Sequence, residues 1–129
     1  MQKINQTYIR SVVKKALDED LKPRGDITTK LIKFKNKKTK AQIIAKQSGV
    51  ISGLDFCKTA FKLVGKETVF VSKVKDGSKI KKNKAIAEIE AKTKTILIAE
   101  RTALNFLNHA SGIATLTYQF KQKVNKKTK

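Results

Sequence analysis

From Ala99 to Val124 the apolar residues keep one spacing: Ala103, Phe106, Leu107, Ala110, Ile113, Ala114, Thr117, Phe120 and Val124 recur three or four positions apart. That is the period of one buried face of an α-helix, and the rest of the chain must supply what it packs against. A second row runs beside it. Arg101, Asn105, Asn108, His109 and Gly112 are also three or four apart, so one edge of the helix carries a guanidinium, two amides and an imidazole. Long polar donors beside a packing seam suit a helix that docks on one side and holds an anion on the other. An ordinary solvated polar face accounts for the same pattern.

Length allows one domain with a modest core: 129 residues, of which 40% are hydrophobic. The lone Cys57 has no partner for an internal disulfide and no accompanying metal-ligand spacing, which points to a reducing cytoplasm. Met1 to Val13 has no signal-peptide pattern, and the longest apolar run, Ile96 to Ala99, is far too short to span a bilayer. The net charge is +20, and phosphates reward such a balance through counterion release. However, only Arg10, Arg24 and Arg101 are arginines, and the 27 lysines are spread along the chain. Lysine is the poorer residue for bidentate phosphate or base contacts. A nucleic-acid interface is therefore not favoured, while a small anionic substrate is drawn by the same field.

Taken in order, Asn5 to Asp20 reads as a helix with Ile9, Val12, Val13, Ala16 and Leu17 on one face and Asn5 or Thr7 as N-cap. Pro23 and Gly25 stop it. Asp18, Glu19 and Asp20 fall near its end, where the macrodipole disfavours acid, and Arg24 or a lysine from another element is the expected partner. Gly25 to Thr29 reads as a turn, capping a short Lys30 to Ile32 segment through Asp26 or Thr28. Lys33 to Lys40 reads as an exposed loop or hairpin tip. Strands are expected over Ala41–Lys46 and Val50–Ser52. A capping box of Ser52 with Asp55 then opens a helix that places Leu54, Cys57, Ala60, Phe61 and Val64 on one face and ends at Gly65. Thr68–Lys75 and Lys84–Glu90 alternate as strands around an Asp76-Gly77 turn. Thr95–Ala99 reads as a short buried strand leading into the long helix. Clustered strands without a βαβ rhythm predict an α+β domain with a mostly antiparallel sheet.

No phosphate loop, zinc spacing or nucleophile–base pair is present, and His109 is the only histidine. No catalytic residue and no metal ligand is expected in this chain. Cys57 reads as a small core residue. The run from Val74 to Ala91 resembles half of a biotinyl or lipoyl carrier domain, but Lys92 and Lys94 lack the Met-Lys-Met or Asp-Lys-Ala setting of the modified lysine. Shared sandwich topology is the better reading. A standalone carrier-like sandwich and a basic nucleic-acid-binding module remain the alternative functions.

A broader resemblance covers nearly the whole chain. Ala16-Leu17-Asp18-Glu19-Asp20 with Gly25-Asp26-Ile27-Thr28, Ala45 to Gly53, Asp76-Gly77, and above all Glu100-Arg101-Thr102-Ala103-Leu104-Asn105-Phe106-Leu107 followed by Ser111-Gly112-Ile113-Ala114-Thr115 resemble the quinolinate phosphoribosyltransferase family. Ala91 departs from it, standing where the family usually has glycine, so a tight turn there would be reshaped. Asn108-His109-Ala110 falls at a variable position.

The resemblance implies a hammerhead or barrel-sandwich-like N-terminal domain, α+β, over residues 1–115. Residues 116–129 would be the end of a helix linking it to a catalytic α/β barrel that lies beyond this chain. The family joins quinolinate to phosphoribosyl pyrophosphate, releasing pyrophosphate and carbon dioxide and forming nicotinate mononucleotide for NAD synthesis. Magnesium accompanies the pyrophosphate. The N-terminal domain caps the neighbouring subunit's barrel in a homodimer, so Arg101 would reach quinolinate across the interface, with Asn105 and His109 as further candidates. An ion pair with a nearby acid is the competing role for Arg101. Alone, this stretch should be catalytically silent and expose apolar helix surface that promotes self-association.

Overall fold

The computed structural model describes residues 4–21 and 36–128. Its elements are α1 (Gln6–Leu21), β1 (Lys38–Ile44), β2 (Gly49–Val50), α2 (Leu54–Val64), β3 (Val69–Ser72), β4 (Lys79–Ile80), β5 (Ala85–Lys92) and α3 (Thr93–Thr128). The class is the expected α+β with antiparallel strands. β5 is central in a three-stranded sheet, with β1 and β3 on either side, while β2 and β4 form a separate two-stranded pair. Pairing runs from Lys38 opposite Lys92 to Ile44 opposite Ala85 on one side, and from Val69 opposite Glu90 to Ser72 opposite Ala87 on the other.

Alternation then decides which side chains are covered. Ala87, Ile89, Ala91 and Phe70 turn inward and are buried. Lys40, Gln42, Val69, Val71 and Glu88 share the outer face and stay exposed. Ala91 sits within β5 opposite Thr39, so no turn forms at the position where glycine would have implied one.

α2 and α3 extend this core, Phe61 of α2 meeting Phe70 of β3, and α1 packs on those two helices. Asn5 caps α1 as expected, its Oδ1 accepting the Thr7 N–H at 2.7 Å. Ile9, Val13 and Leu17, one helical face, meet Cys57, Ala60 and Phe61 of α2 and Ala99, Ala103 and Leu107 of α3 in a single core. Phe56 stacks on Phe106 with ring centroids 5.3 Å apart.

Three expectations change. Thr95–Ala99 is helical, since α3 begins directly after β5. Buried Thr95, Ala99, Thr102, Ala103 and Leu107 follow helical spacing, and the helix start is satisfied from outside: Thr93 N–H donates to Lys37 O at 2.9 Å and Lys94 N–H to Asn36 Oδ1 at 3.1 Å. Packing outweighs the β-branched bias of Thr95, Ile96 and Ile98. The capping box does not form either. Gly53, in a left-handed conformation at φ 91°, takes the N-cap of α2 without a side-chain bond, and the Leu54 N–H is accepted by Asp76 Oδ1 at 3.2 Å. Finally, Lys38 to Lys40 belong to β1 rather than to a loop. The expected turn at 25–29, the segment at 30–32, and Pro23, Arg24 and Gly25 lie outside the described residues.

Candidate functional site

Arg101 sits two turns inside α3, not at its start, because the helix begins at Thr93. A mid-helix mount removes end-fraying from its backbone. Across from it, the last turn of α1 delivers Asp20, whose Oδ1 stands 3.6 Å from Arg101 Nε. Thr102, the next residue on α3, donates its hydroxyl to Asp20 Oδ2 at 3.3 Å. The carboxylate is thus held by neighbours of both kinds, and the acid at the end of α1 finds its cation on α3.

At 3.6 Å the Arg101–Asp20 contact is an ion pair and falls outside hydrogen-bonding distance. The carboxylate side chain is only 18% exposed, while the arginine side chain is 64% exposed. Asp20 therefore lies at the base and the guanidinium stands outward from it. The side chain is not folded into its own core. Arg101 therefore pairs with an acid and keeps most of its planar fork in solvent.

Beside this pair runs an open groove of about 450 Å³, lined by Ala16, Asp20, Thr102, Asn105, Phe106 and His109. The structure brings Asn105 and His109 to the same groove as Asp20, one and two helical turns beyond Arg101. Asn108 and Gly112 are exposed on α3 and do not line it. Asp20 and Thr102 are what sequence reasoning missed as parts of this site. The signal was there, since an acid against the helix dipole needs a cation, but residues 81 positions apart had to be joined by the fold.

The run from Ser111 to Thr115 has a different task. Ser111 Oγ accepts the Ser52 N–H at 3.0 Å and donates to Ser52 O at 3.1 Å. Thr115 Oγ1 accepts the Val50 N–H at 2.9 Å and donates to Ser111 O at 2.7 Å. Four residues of helix rise about 6.0 Å, and two residues of strand about 6.6 Å. The two hydroxyls therefore match alternate backbone groups of the β2 segment and stand in for a neighbouring strand. Such close approach requires glycine. A Cβ on Gly49 would lie 2.8 Å from Thr115 Oγ1, and one on Gly53 2.9 Å from Ala110 Cβ. This clamp fixes α3, and with it Arg101, against the β2 segment.

Other candidate chemistry does not assemble. Cys57 is fully buried, and burial pushes its thiol up to about 12, the opposite of what a nucleophile needs. Lys92 closes β5 and Lys94 lies in the first turn of α3, so neither sits at the hairpin tip a carrier lysine occupies. Among the described residues no group of three or more His, Cys, Asp or Glu is placed to hold a metal ion, and no helix is long and apolar enough to cross a membrane.

Residues 26–111 match the family described as quinolinate phosphoribosyl transferase, N-terminal domain. The chain belongs to that family. It is 39% identical over 117 residues to a probable carboxylating nicotinate-nucleotide pyrophosphorylase of Methanocaldococcus jannaschii, covering 90% of this chain and 39% of that one. It is 34% identical over 112 residues to decarboxylating quinolinate phosphoribosyltransferase 1b of Nicotiana tabacum, covering 86% and 32%. The solved nicotinate-nucleotide pyrophosphorylase of Francisella tularensis superposes with a TM-score of 0.86 at 29% identity, over 96% of this chain and 43% of that one. The chain thus spans about a third of the length of the tobacco relative and about two fifths of the other two. The carrier and nucleic-acid alternatives find no support in these likenesses.

Proposed function

We propose that this domain acts as the substrate-capping and dimerisation part of a carboxylating phosphoribosyltransferase. That enzyme joins quinolinate to phosphoribosyl pyrophosphate and yields nicotinate mononucleotide, pyrophosphate and carbon dioxide. The observation that carries the reading is the mounting of Arg101: mid-helix, braced from behind by a largely buried carboxylate, and open to solvent at its outer edge. A planar fork held this way suits a dicarboxylate, to which it donates two parallel N–H bonds. Asn105 and His109, which line the groove beside Asp20, add polar groups one and two helical turns further along.

The reacting centre itself lies in a barrel domain of the kind that follows this one in the family, contributed by a neighbouring subunit. This chain supplies a lid carrying one cation. Magnesium, a hard cation suited to pyrophosphate oxygens, travels with the phosphoribosyl donor. Alone, residues 1–129 bind quinolinate weakly and turn nothing over. A free thiol fits a reducing compartment such as the cytoplasm.

The test is a chimera in which residues 1–129 replace the corresponding domain of the Francisella tularensis relative. Arg101→Lys keeps the charge and removes the fork. The quinolinate KM should rise about tenfold or more, the scale of losing one charge-assisted hydrogen bond, while the KM for phosphoribosyl pyrophosphate stays put. An unchanged quinolinate KM would remove Arg101 from the site.

A further inference from the structure

Asp20 and Thr102 are polar residues at positions where helical spacing calls for apolar ones. On α1, Ile9, Val13 and Leu17 turn into the core, and Asp20, three residues further, extends that face. On α3, Thr102 lies between the fully buried Ala99 and Ala103 and is itself 3% exposed. A hydroxyl placed there loses its water and needs a partner inside the protein. Threonine in a helix has a local one, the carbonyl oxygen four residues earlier. Thr59, Thr115 and Thr117 all use it, at 2.7, 2.7 and 2.9 Å. Thr102 instead crosses to α1, where its hydroxyl donates to Asp20 Oδ2 at 3.3 Å.

The choice of oxygen matters. A carboxylate on a helix's last turn has a broad torsional well, so its plane is set by what its oxygens meet. With Oδ2 held by Thr102, Oδ1 faces Arg101 and stands 3.6 Å from Nε. Arg101 is about 100° round the helix from Thr102, off the packing face, and its side chain is mostly exposed. A buried hydroxyl on one side of α3 thus acts on a solvent-facing guanidinium through a carboxylate from another helix.

We propose that Thr102 is a positioning residue for Arg101. Its hydroxyl fixes the plane of the Asp20 carboxylate, which meets the guanidinium at Nε and leaves the Nη pair to grip a substrate carboxylate. A parallel two-point grip depends on direction, so losing the hydroxyl loosens the aim without removing the charge. As a role in binding this rests on the proposed function of Arg101; as geometry it does not.

Two readouts test it, one on this chain and one on the chimera. The chain's only arginines are Arg10, Arg24 and Arg101, so its arginine Nε–H resonances are few, and Arg101→Lys identifies the one at issue. Thr102→Val keeps the shape of the side chain and removes the hydroxyl. It should move the Arg101 Nε–H resonance in the same direction as Asp20→Asn, whereas Thr102→Ser, which keeps the hydroxyl, should leave it in place. In the chimera Thr102→Val should raise the quinolinate KM about threefold to tenfold, the scale of one hydrogen bond. The kcat and the KM for phosphoribosyl pyrophosphate should hold, and Thr102→Ser should restore the quinolinate KM. Added to Arg101→Lys, Thr102→Val should change that KM by less than about twofold, since it acts through Arg101. Thr117→Val removes a hydroxyl that bonds within its own helix and should alter neither readout. An Arg101 resonance that ignores Thr102→Val overturns the proposal, even where the urea midpoint falls, and leaves Thr102 a purely structural residue. So does a KM rise of equal size with and without Arg101→Lys. If Arg101→Lys leaves the quinolinate KM unchanged while the resonance responds as expected, Arg101 loses its substrate and the positioning by Thr102 stands.

Discussion

Gly53 and Gly77 make a matched pair for testing whether α3 is locked to the segment around β2. Both have φ 91°, so alanine at either position meets the same backbone penalty, about 1–2 kcal/mol for an L-residue on the left-handed side. Their surroundings differ. A Cβ on Gly77 meets nothing within 4 Å, whereas one on Gly53 would lie 2.9 Å from Ala110 Cβ and 3.2 Å from the Phe106 carbonyl oxygen. The second contact is helix backbone, which cannot rotate out of the way. Overpacking of this kind adds about 1–3 kcal/mol, so Gly53→Ala should cost about 2–5 kcal/mol against about 1–2 for Gly77→Ala. Urea titration of both variants measures the difference directly, since a change in midpoint at constant slope is a change in stability. At about 4 °C per kcal/mol for a chain of this size, thermal midpoints should separate by several degrees. Adding Ala110→Gly to Gly53→Ala should recover part of the loss. Equal costs at the two glycines would mean that α3 has slack against the β2 segment, and the rigid placement of Arg101 would lose its cause.

The clamp itself can be cut from the helix side. Ser111→Ala leaves the half-buried Ser52 N–H and C=O without their shared partner and should lower stability by about 1–2 kcal/mol, measured by the same titration. Asp20→Asn should cost little in stability, about 1 kcal/mol or less given how exposed Arg101 is, yet raise the quinolinate KM of the chimera, since the guanidinium loses its brace. Cys57 should resist thiol reagents at pH 8 until the chain unfolds. Its folded-state value lies above the ordinary 9.0, so it adds no pH dependence in the neutral range. Above about pH 9 the unfolded chain releases the thiol proton while the folded chain keeps it, and stability falls as pH rises toward 12, visible in urea midpoints across that range.

Most of the framework was legible because side-chain period and burial agree. Ile9, Val13 and Leu17 on α1, and Cys57, Ala60 and Phe61 on α2, are where the helical spacing places them. The errors share one cause. Thr95–Ala99 looks like a strand to any rule that sees neighbours in sequence, and becomes a helix because Ala99, Ala103 and Leu107 are needed in the core. The Ser52–Asp55 box is locally sound, yet Ser111 claims the Ser52 backbone and Asp76 claims the Leu54 N–H. On α3, spacing alone brought Arg101, Asn105 and His109 to one edge, and family likeness singled out Arg101. That Asp20 would stand behind it was invisible, because the pair is closed by packing of the first helix on the last.

We expect the guanidinium braced by Asp20 to face an anionic guest. A crystal structure of the chimera with quinolinate bound tests this most directly. Two Arg101 nitrogens should lie within about 3 Å of one quinolinate carboxylate, with Asp20 still behind Nε. An Arg101 turned wholly onto Asp20, with both carboxylates met by other residues, would contradict it.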